Sequence, residues 1–373
     1  MGKNENRIIR DSNIEMLKVV ALCFIVISHI IPRYGDHSLP SYVNINLAST
    51  DINNFFISFI SNLGSVGNCI FVVCSSWFLI GDMKIKIEKI WNLAINTWVI
   101  SILYLLAFLA FGVSLSGNEV LTQVFPISFN TNWFISCYIL FYLLHPAVNL
   151  ILDNLNQKQH FAVTFWGGVI FYSILQIPFT GAYFCNEIIS FYLIYFIVFY
   201  IKRYLPISTL RRSVCIAITI VSAILYFSGA VFINFLGTNI GYFSNKMYIW
   251  RQMNNPLIIV FSISLFLVCY KINIQSSLIN KISSVSLIVY LVHENPLVNK
   301  YLKAFFWNKV YDTFGFAYVL VYVFIFAAIL FCSSITVSYV YQILFGKIIG
   351  KVASRIIILI NNGMVKVMEL IKI

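Results

Sequence analysis

Glu15, Lys18 and His29 interrupt the first apolar stretch of the chain, SNIEMLKVVALCFIVISHI, at spacings that place them on nearly one face of a helix. Lys18 and His29 are eleven residues apart, close to a whole number of turns at about 100° per residue. Glu15 and Lys18 are (i, i+3) neighbours and can form an ion pair where the helix enters a membrane. His29 then lies about 16 Å beyond Lys18 along the axis. An imidazole there can take or give a proton near neutral pH, which general-base catalysis requires. His29 and Glu15 are therefore the candidate catalytic residues. The plain alternative is an interfacial ion pair with a histidine at the end of the helix.

Three further segments carry polar groups where apolar ones would be expected. GDMKIKIEKIW places Lys84, Lys86 and Lys89 at the start of the third apolar stretch, with Lys86 and Lys89 on one face. Cations there can hold the phosphates of a nucleotide-like donor, although a membrane protein also gathers lysine on its inner side without any ligand. NWFISCYILFYLLHPAVN sets Trp133, Tyr138 and Tyr142 in an aromatic stripe above His145, Pro146 and Asn149. Such a stripe is either a belt at the membrane boundary or a platform for a sugar ring. SSVSLIVYLVHENP brings Tyr290, His293 and Glu294 to i, i+3 and i+4, so that all three can face one site. A His-Glu pair inside an apolar run is expensive in lipid and points to function rather than to packing.

The elements that must position these groups are membrane helices. Of 373 residues, 60% are apolar, 17% aromatic and only 10% charged, too little charge to cover a soluble protein of this size. About 20 apolar residues span roughly 30 Å of hydrocarbon as a helix. Such stretches fall near 14–32, 57–80, 90–113, 133–152, 161–179, 185–201, 213–236, 256–270, 283–297 and 315–345. With the N-terminus inside, the loops assign Arg33, Lys246, Arg251, Lys300, Lys303 and Lys309 to the outer face, and the other nineteen of the 25 basic residues to the inner face. The pattern predicts an all-α, polytopic membrane helical bundle of about ten transmembrane helices with N- and C-termini cytoplasmic. Residues 1–345 form the integral-membrane domain, and 346–373 read as a basic amphipathic tail on the inner surface.

The formal charge of +12 does not indicate nucleic acid, because no basic segment is long enough to form a soluble domain. The first apolar stretch follows a basic region without a small-residue cleavage site and reads as a retained signal anchor. The eight cysteines show no metal-ligand or disulfide spacing, so no metal site is expected.

Taken in order, these segments resemble the acyltransferase-3 family of integral-membrane acyltransferases, in particular the branch that O-acylates bacterial capsular or wall polysaccharides. The resemblance runs from about Asn13 to Asn308. NIEMLKVVALCFIVISHI is similar to the family's first-helix motif, a basic residue followed eleven positions later by the histidine held to be catalytic, here Lys18 and His29. NLGSVGNCIFVVCSSWFL resembles the second-helix Gly-x-Phe-Phe…Ser-Gly-Tyr pattern, with Ser75-Ser76-Trp77 in place of Ser-Gly-Tyr. The Arg-x-x-Arg linked to acyl-CoA binding falls on Lys86-Ile87-Glu88-Lys89. Lysine keeps the charge at these positions but gives up the bidentate fork of arginine. NWFISCYILFYLLHPAVN and YLVHENP match the polysaccharide-acylating branch best.

The resemblance implies a membrane-bound O-acyltransferase, with acetyl as the family's usual cargo. It would move an acyl group from cytoplasmic acyl-CoA to a sugar hydroxyl of a cell-surface polysaccharide or its lipid-linked precursor. Acetyl-CoA or another acyl-CoA is then a co-substrate, with no tightly bound cofactor. Lys18, Lys86 and Lys89 would hold the donor, His29 would act as base or acyl relay, and Trp133, Tyr138, Tyr290, His293 and Glu294 would meet the acceptor. The partners implied are acyl-CoA, the glycan, membrane lipid and other polysaccharide-assembly proteins, at a bacterial plasma membrane. The rival class is a polysaccharide or lipid-linked glycan flippase or exporter, but such proteins commonly carry internal repeats or paired broken helices, and none is visible here. A non-catalytic scaffold would have no reason to align Glu15, Lys18 and His29.

Overall fold

The computed structural model describes residues 12–31, 50, 52–170, 187–243, 250–303, 305–307, 309, 313 and 318–371. Among these every regular element is helical and no strand occurs. In chain order the helices are α1 (Ser12–Ser28), α2 (Ile52–Leu79), α3 (Ile87–Ala110), α4 (Gly117–Val124), α5 (Trp133–Asp153), α6 (Gln157–Gly168), α7 (Glu187–Tyr204), α8 (Arg212–Asn239), α9 (Pro256–Tyr270), α10 (Ser277–Ser284), α11 (Ser286–His293) and α12 (Val319–Ile371). Five of them, α2, α3, α5, α8 and α12, contain stretches long and apolar enough to cross a membrane, and α9 is a shorter apolar helix. Their outward faces carry large apolar side chains, such as Leu106 on α3, Ile224 and Phe232 on α8, and Phe324 and Ile329 on α12. That exposure would be a liability in water and is the expected condition in lipid.

Two of the predicted spans take a different form. The stretch near 161–179 begins as α6, and residues 171–179 lie outside the described residues, as do the greater part of the 33–56 loop and Lys246. No continuous helix covers 283–297. It is divided into α10 and α11, and a π-helical turn follows at Val298–Lys303. Pro296 supplies one reason, because it has no N–H to continue the ladder and disfavours a helical conformation in the residue before it. Asn295 then caps a new start, its Oδ1 accepting from Leu297 N at 2.9 Å. Asn255-Pro256-Leu257 opens α9 by the same device, again at 2.9 Å.

α12 continues past Phe345 to Ile371 without a break. Its 53 residues would extend about 80 Å, far more than one membrane crossing requires. Along this continuation Ile349 and Ala353 are buried, whereas Lys347, Lys351 and Arg355 are exposed together with Ile348, Ile358 and Leu359.

The chain divides into two compact units. The first holds α1, α2 and α6–α10. Its central contact is α1 against α2, which approach closely because Gly64 and Gly67 have no side chain. A Cβ on Gly67 would lie 2.6 Å from the Ala21 carbonyl oxygen and 2.7 Å from Ile25 Cγ1, and one on Gly64 would collide with Ser28. The second unit holds α3–α5, α11, the π-helical turn and α12. There α12 is tied to α3 by Tyr341, whose hydroxyl donates to Asn96 Oδ1 at 2.8 Å. Phe108 of α3 packs on Leu297 and Val298 at the restart after Pro296.

Candidate functional site

In the first unit α1 carries its ionisable residues at opposite ends. Glu15 and Lys18 pair at 3.2 Å, and Ser283 of α10 donates to the second oxygen of Glu15. Lys18 also lies 5.7 Å over the ring of Phe78 at the end of α2. Several other helix ends gather here. Asn13 donates to the carbonyl of Cys269 at 3.0 Å, and Ser12 Oγ accepts from Ser276 N at 3.1 Å. Lys202 of α7 donates to the carbonyls of Trp77 and Ile80 at 2.7 and 3.2 Å, supplying a cation to the orphan acceptors at the end of α2. Trp77 in turn packs on Phe266 and Tyr270 of α9.

His29 stands at the other end, in the turn just after α1, with its N–H donating to Ile25 O and Val26 O. It is half-buried. Fourteen residues separate it from Glu15, about 21 Å of helix. Glu15 therefore engages Lys18 and Ser283, and cannot reach the His29 imidazole within α1.

The second unit contains the other sequence-predicted residues and connects them. Lys84, Lys86 and Lys89 are exposed on the turn before α3 and on its first residues. The turn is bound to α5 at two points. Lys86 N donates to the Tyr142 hydroxyl at 3.2 Å, and Asn149 Nδ2 donates to the Asp82 carbonyl at 3.0 Å. Lys89 Nζ lies 5.8 Å over the Tyr142 ring.

From Tyr142 a ladder of rings runs back along α5. Tyr142 to Tyr138 is 6.4 Å between centroids and Tyr138 to Phe134 is 6.5 Å, both stacked. Phe134 meets Tyr290 of α11 at 5.7 Å, and Tyr290 meets His293 at 5.9 Å. The ladder follows from residues four apart on one helix face. Trp133, the first residue of α5, touches Phe134 at 5.7 Å beside the ladder. An exposed cluster of lysines and a buried histidine are thus the two ends of one aromatic track.

At the buried end, His293 Nδ1 faces the Val289 carbonyl at 2.7 Å. A carbonyl only accepts, so Nδ1 carries the proton and Nε2 the lone pair when the ring is neutral. Glu294 pairs with Lys303 at 3.6 Å, with each side chain only 4% exposed. Asn295 donates to Gln123 Oε1 of α4 at 2.8 Å, and Tyr104 of α3 donates to the Val292 carbonyl at 2.8 Å. The motif is thereby held from α3, α4 and the π-helical turn together.

A sequence profile described as an acyltransferase domain, that of the acyltransferase-3 family, matches residues 11–338. The chain belongs to the acyltransferase-3 family. No curated protein and no solved structure matches it. The match takes in α1 through the first part of α12, so both units belong to the acyltransferase domain. With its apolar helices, the chain is a multi-pass membrane acyltransferase.

Sequence reasoning missed several residues of this acyltransferase. Lys303 counted only as an outer-loop charge, and Lys202 and Ser283 drew no notice. Tyr104 and Gln123 gave no signal in an apolar helix and a short connecting one. Lys303 alone had a possible clue, a cation seven residues after Pro296 in a segment that a straight helix could not supply.

Proposed function

We propose that this acyltransferase moves an acyl group, acetyl in the usual case, from cytoplasmic acyl-CoA to a sugar hydroxyl of a cell-surface polysaccharide or its lipid-linked precursor. The protein sits in a bacterial plasma membrane with about ten spans and both termini in the cytoplasm, a topology supported by the side bias of lysine and arginine. The observation that carries the reading is the aromatic track of the second unit, which begins at exposed cations and ends at a buried His-Glu pair. Phosphates need the first, and a hydroxyl acceptor needs the second.

In this mechanism Lys86 and Lys89 hold the CoA phosphates, joined by Lys18, which Glu15 positions. His29 takes the proton from the sugar hydroxyl as its oxygen attacks the thioester carbonyl. The C–S bond breaks, CoA leaves as its thiolate, and the imidazolium returns the proton to sulfur. Glu294 and His293 orient the acceptor, with Tyr290, Tyr138 and Trp133 offering ring faces to the sugar.

The test is the O-acyl content of the surface polysaccharide, read by proton NMR before and after mild base. Cells with the intact gene, the deletion and His29→Ala are compared. Loss of acyl signals in both altered strains at constant glycan quantity is the expected result. Unchanged acylation with glycan retained inside the cell would instead identify an exporter.

A further inference from the structure

His145 lies on α5 one turn beyond Tyr142, immediately before Pro146, and is fully buried. Pro146 has no N–H, so the carbonyl of Tyr142, four residues earlier, loses its helical donor. His145 Nδ1 fills that place by hydrogen bonding to Tyr142 O. The partner is a carbonyl, which assigns the proton to Nδ1 and leaves the lone pair on Nε2. That Nε2 has no hydrogen-bond partner among the described residues. A buried acceptor without a donor is unfavourable, more so at membrane depth, and marks a place where a donor arrives from outside the chain.

The position of His145 says which donor. At about 100° per residue Phe134, Tyr138, Tyr142, His145 and Asn149 fall within roughly 80° of arc on α5. Tyr142 and Asn149, on either side of His145, both bind the turn that carries Lys84 and Lys86. Tyr142 and His145 are in ring contact at 5.2 Å. His145 therefore stands level with the lysine turn, between its two ties to α5, and sets a buried acceptor nitrogen beside the exposed ammonium groups.

We infer that His145 Nε2 is the subsite for an amide N–H in the arm of the acyl donor, beside the lysine turn that holds its phosphates. The inference rests on the donor being a CoA thioester, as proposed above. A CoA thioester has the required order of groups: phosphates at the head, then two amides along a thin arm, then the thioester. The amide N–H needs an acceptor, and the His-Pro pair supplies one at Nε2 by holding the ring proton on Nδ1.

The experiment measures binding of CoA and of adenosine 3′,5′-bisphosphate to the purified full-length protein in nanodiscs of zwitterionic lipid. The bisphosphate has the phosphate head without the amide arm. His145→Asn keeps an amide N–H in reach of the Tyr142 carbonyl but has no acceptor at the Nε2 position. The expected result is CoA affinity reduced about tenfold, the scale of one buried hydrogen bond, with bisphosphate affinity unchanged. Unchanged bisphosphate binding also reports that the variant is folded. Lys86→Ala with Lys89→Ala weakens both ligands. If the wild type binds CoA and His145→Asn binds it equally well, or loses both ligands in proportion, the subsite is overturned while the CoA donor stands. If the wild type binds neither ligand, the CoA donor itself is refuted, and the subsite with it. Repeating the measurement in anionic nanodiscs distinguishes lipid headgroups at the lysines, which would weaken the bisphosphate and leave the His145 difference in place.

Discussion

Substituting Lys303 tests whether the break in the helix after His293 serves the site. The Glu294–Lys303 pair has its charged atoms 3.6 Å apart and both side chains only 4% exposed. At an effective dielectric of about 20, that separation is worth about 4–5 kcal/mol of attraction, much of which offsets the cost of burying two ions. The net worth of the pair is therefore small, but the cost of removing one member is not. Lys303→Met removes the cation 3.6 Å from the buried Glu294 carboxylate and is expected to cost about 3–5 kcal/mol. Glu294→Gln removes the negative member of the pair and costs a similar amount. The double substitution removes both charges, so its unfolding midpoint should be no lower than that of the worse single variant. The assay is thermal unfolding of the four purified proteins in one detergent at pH 7, with CoA binding as a second readout. The CoA affinity proposed for Lys86 and Lys89 should be unchanged in all four. Losses that simply add in the double variant would refute the reasoning, because they would show two independent contacts rather than one charge pair.

The α1–α2 contact predicts that Gly67→Ala, whose new Cβ would lie 2.6 Å from the Ala21 carbonyl oxygen, lowers stability by about 1–3 kcal/mol. It should also reduce acyl transfer, because His29 follows directly on the displaced helix. Gly117→Ala, with nothing within 4 Å of its Cβ, is the neutral control in the same thermal assay. Outside the spanning helices, Glu119 has its carboxyl pKa pulled down to about 2. Partial burial acts to raise it, but bonds from Lys300, from the Ser116 N–H and hydroxyl, and from Tyr301 outweigh that effect. A depressed carboxyl pKa contributes stability that is complete above the unfolded value of about 4.3 and lost as pH falls toward 2. Lys300 is half-exposed, so the contribution is about 1 kcal/mol. Glu119→Gln should therefore lower the unfolding midpoint at pH 7, and the difference from wild type should close between about pH 4.5 and 2. Tyr104→Phe removes the donor to the Val292 carbonyl and should cost about 1–3 kcal/mol in the same measurement.

What the sequence revealed and what it hid divide along physical lines. Local periodicity made the all-helical class legible, together with the ion pair of Glu15 with Lys18 and the shared face of Tyr138 and Tyr142, because all of these need only the 3.6-residue repeat; the third ring of the ladder is Phe134 and not the expected Trp133. It also placed the cations at the start of α3. The division between α10 and α11 was half legible, since Pro296 announces a break but nothing marks the stop at Val285. The partners of the motif residues were not legible at all. Ser283 on Glu15, Lys202 on the end of α2, and Tyr104 and Gln123 around the HENP segment depend on which helices are neighbours, and a period read along one chain does not contain that. The fixed tautomer of His145 was present in the adjacent histidine and proline, since a missing N–H at one residue always frees the carbonyl four earlier.

Pro146 and Pro296 solve the same problem with opposite consequences. Each withholds an N–H from a carbonyl in a region where water is not at hand to replace it, so a side chain must do so. At Pro146 the substitute comes from the adjacent residue of the same helix, α5 continues, and the result is a fixed imidazole beside the lysine turn. At Pro296 the substitute comes from Tyr104 on another helix, α11 ends, and the chain restarts in a π-helical turn. Had the helix continued through that point, Lys303 would lie nine residues beyond Glu294, about 13 Å further along the axis and out of reach. With the break the two charges are 3.6 Å apart. Lys303 reaches Glu294 only because the helix stops, so the proline, the tyrosine and the lysine must be read as one device for keeping a paired carboxylate beside His293.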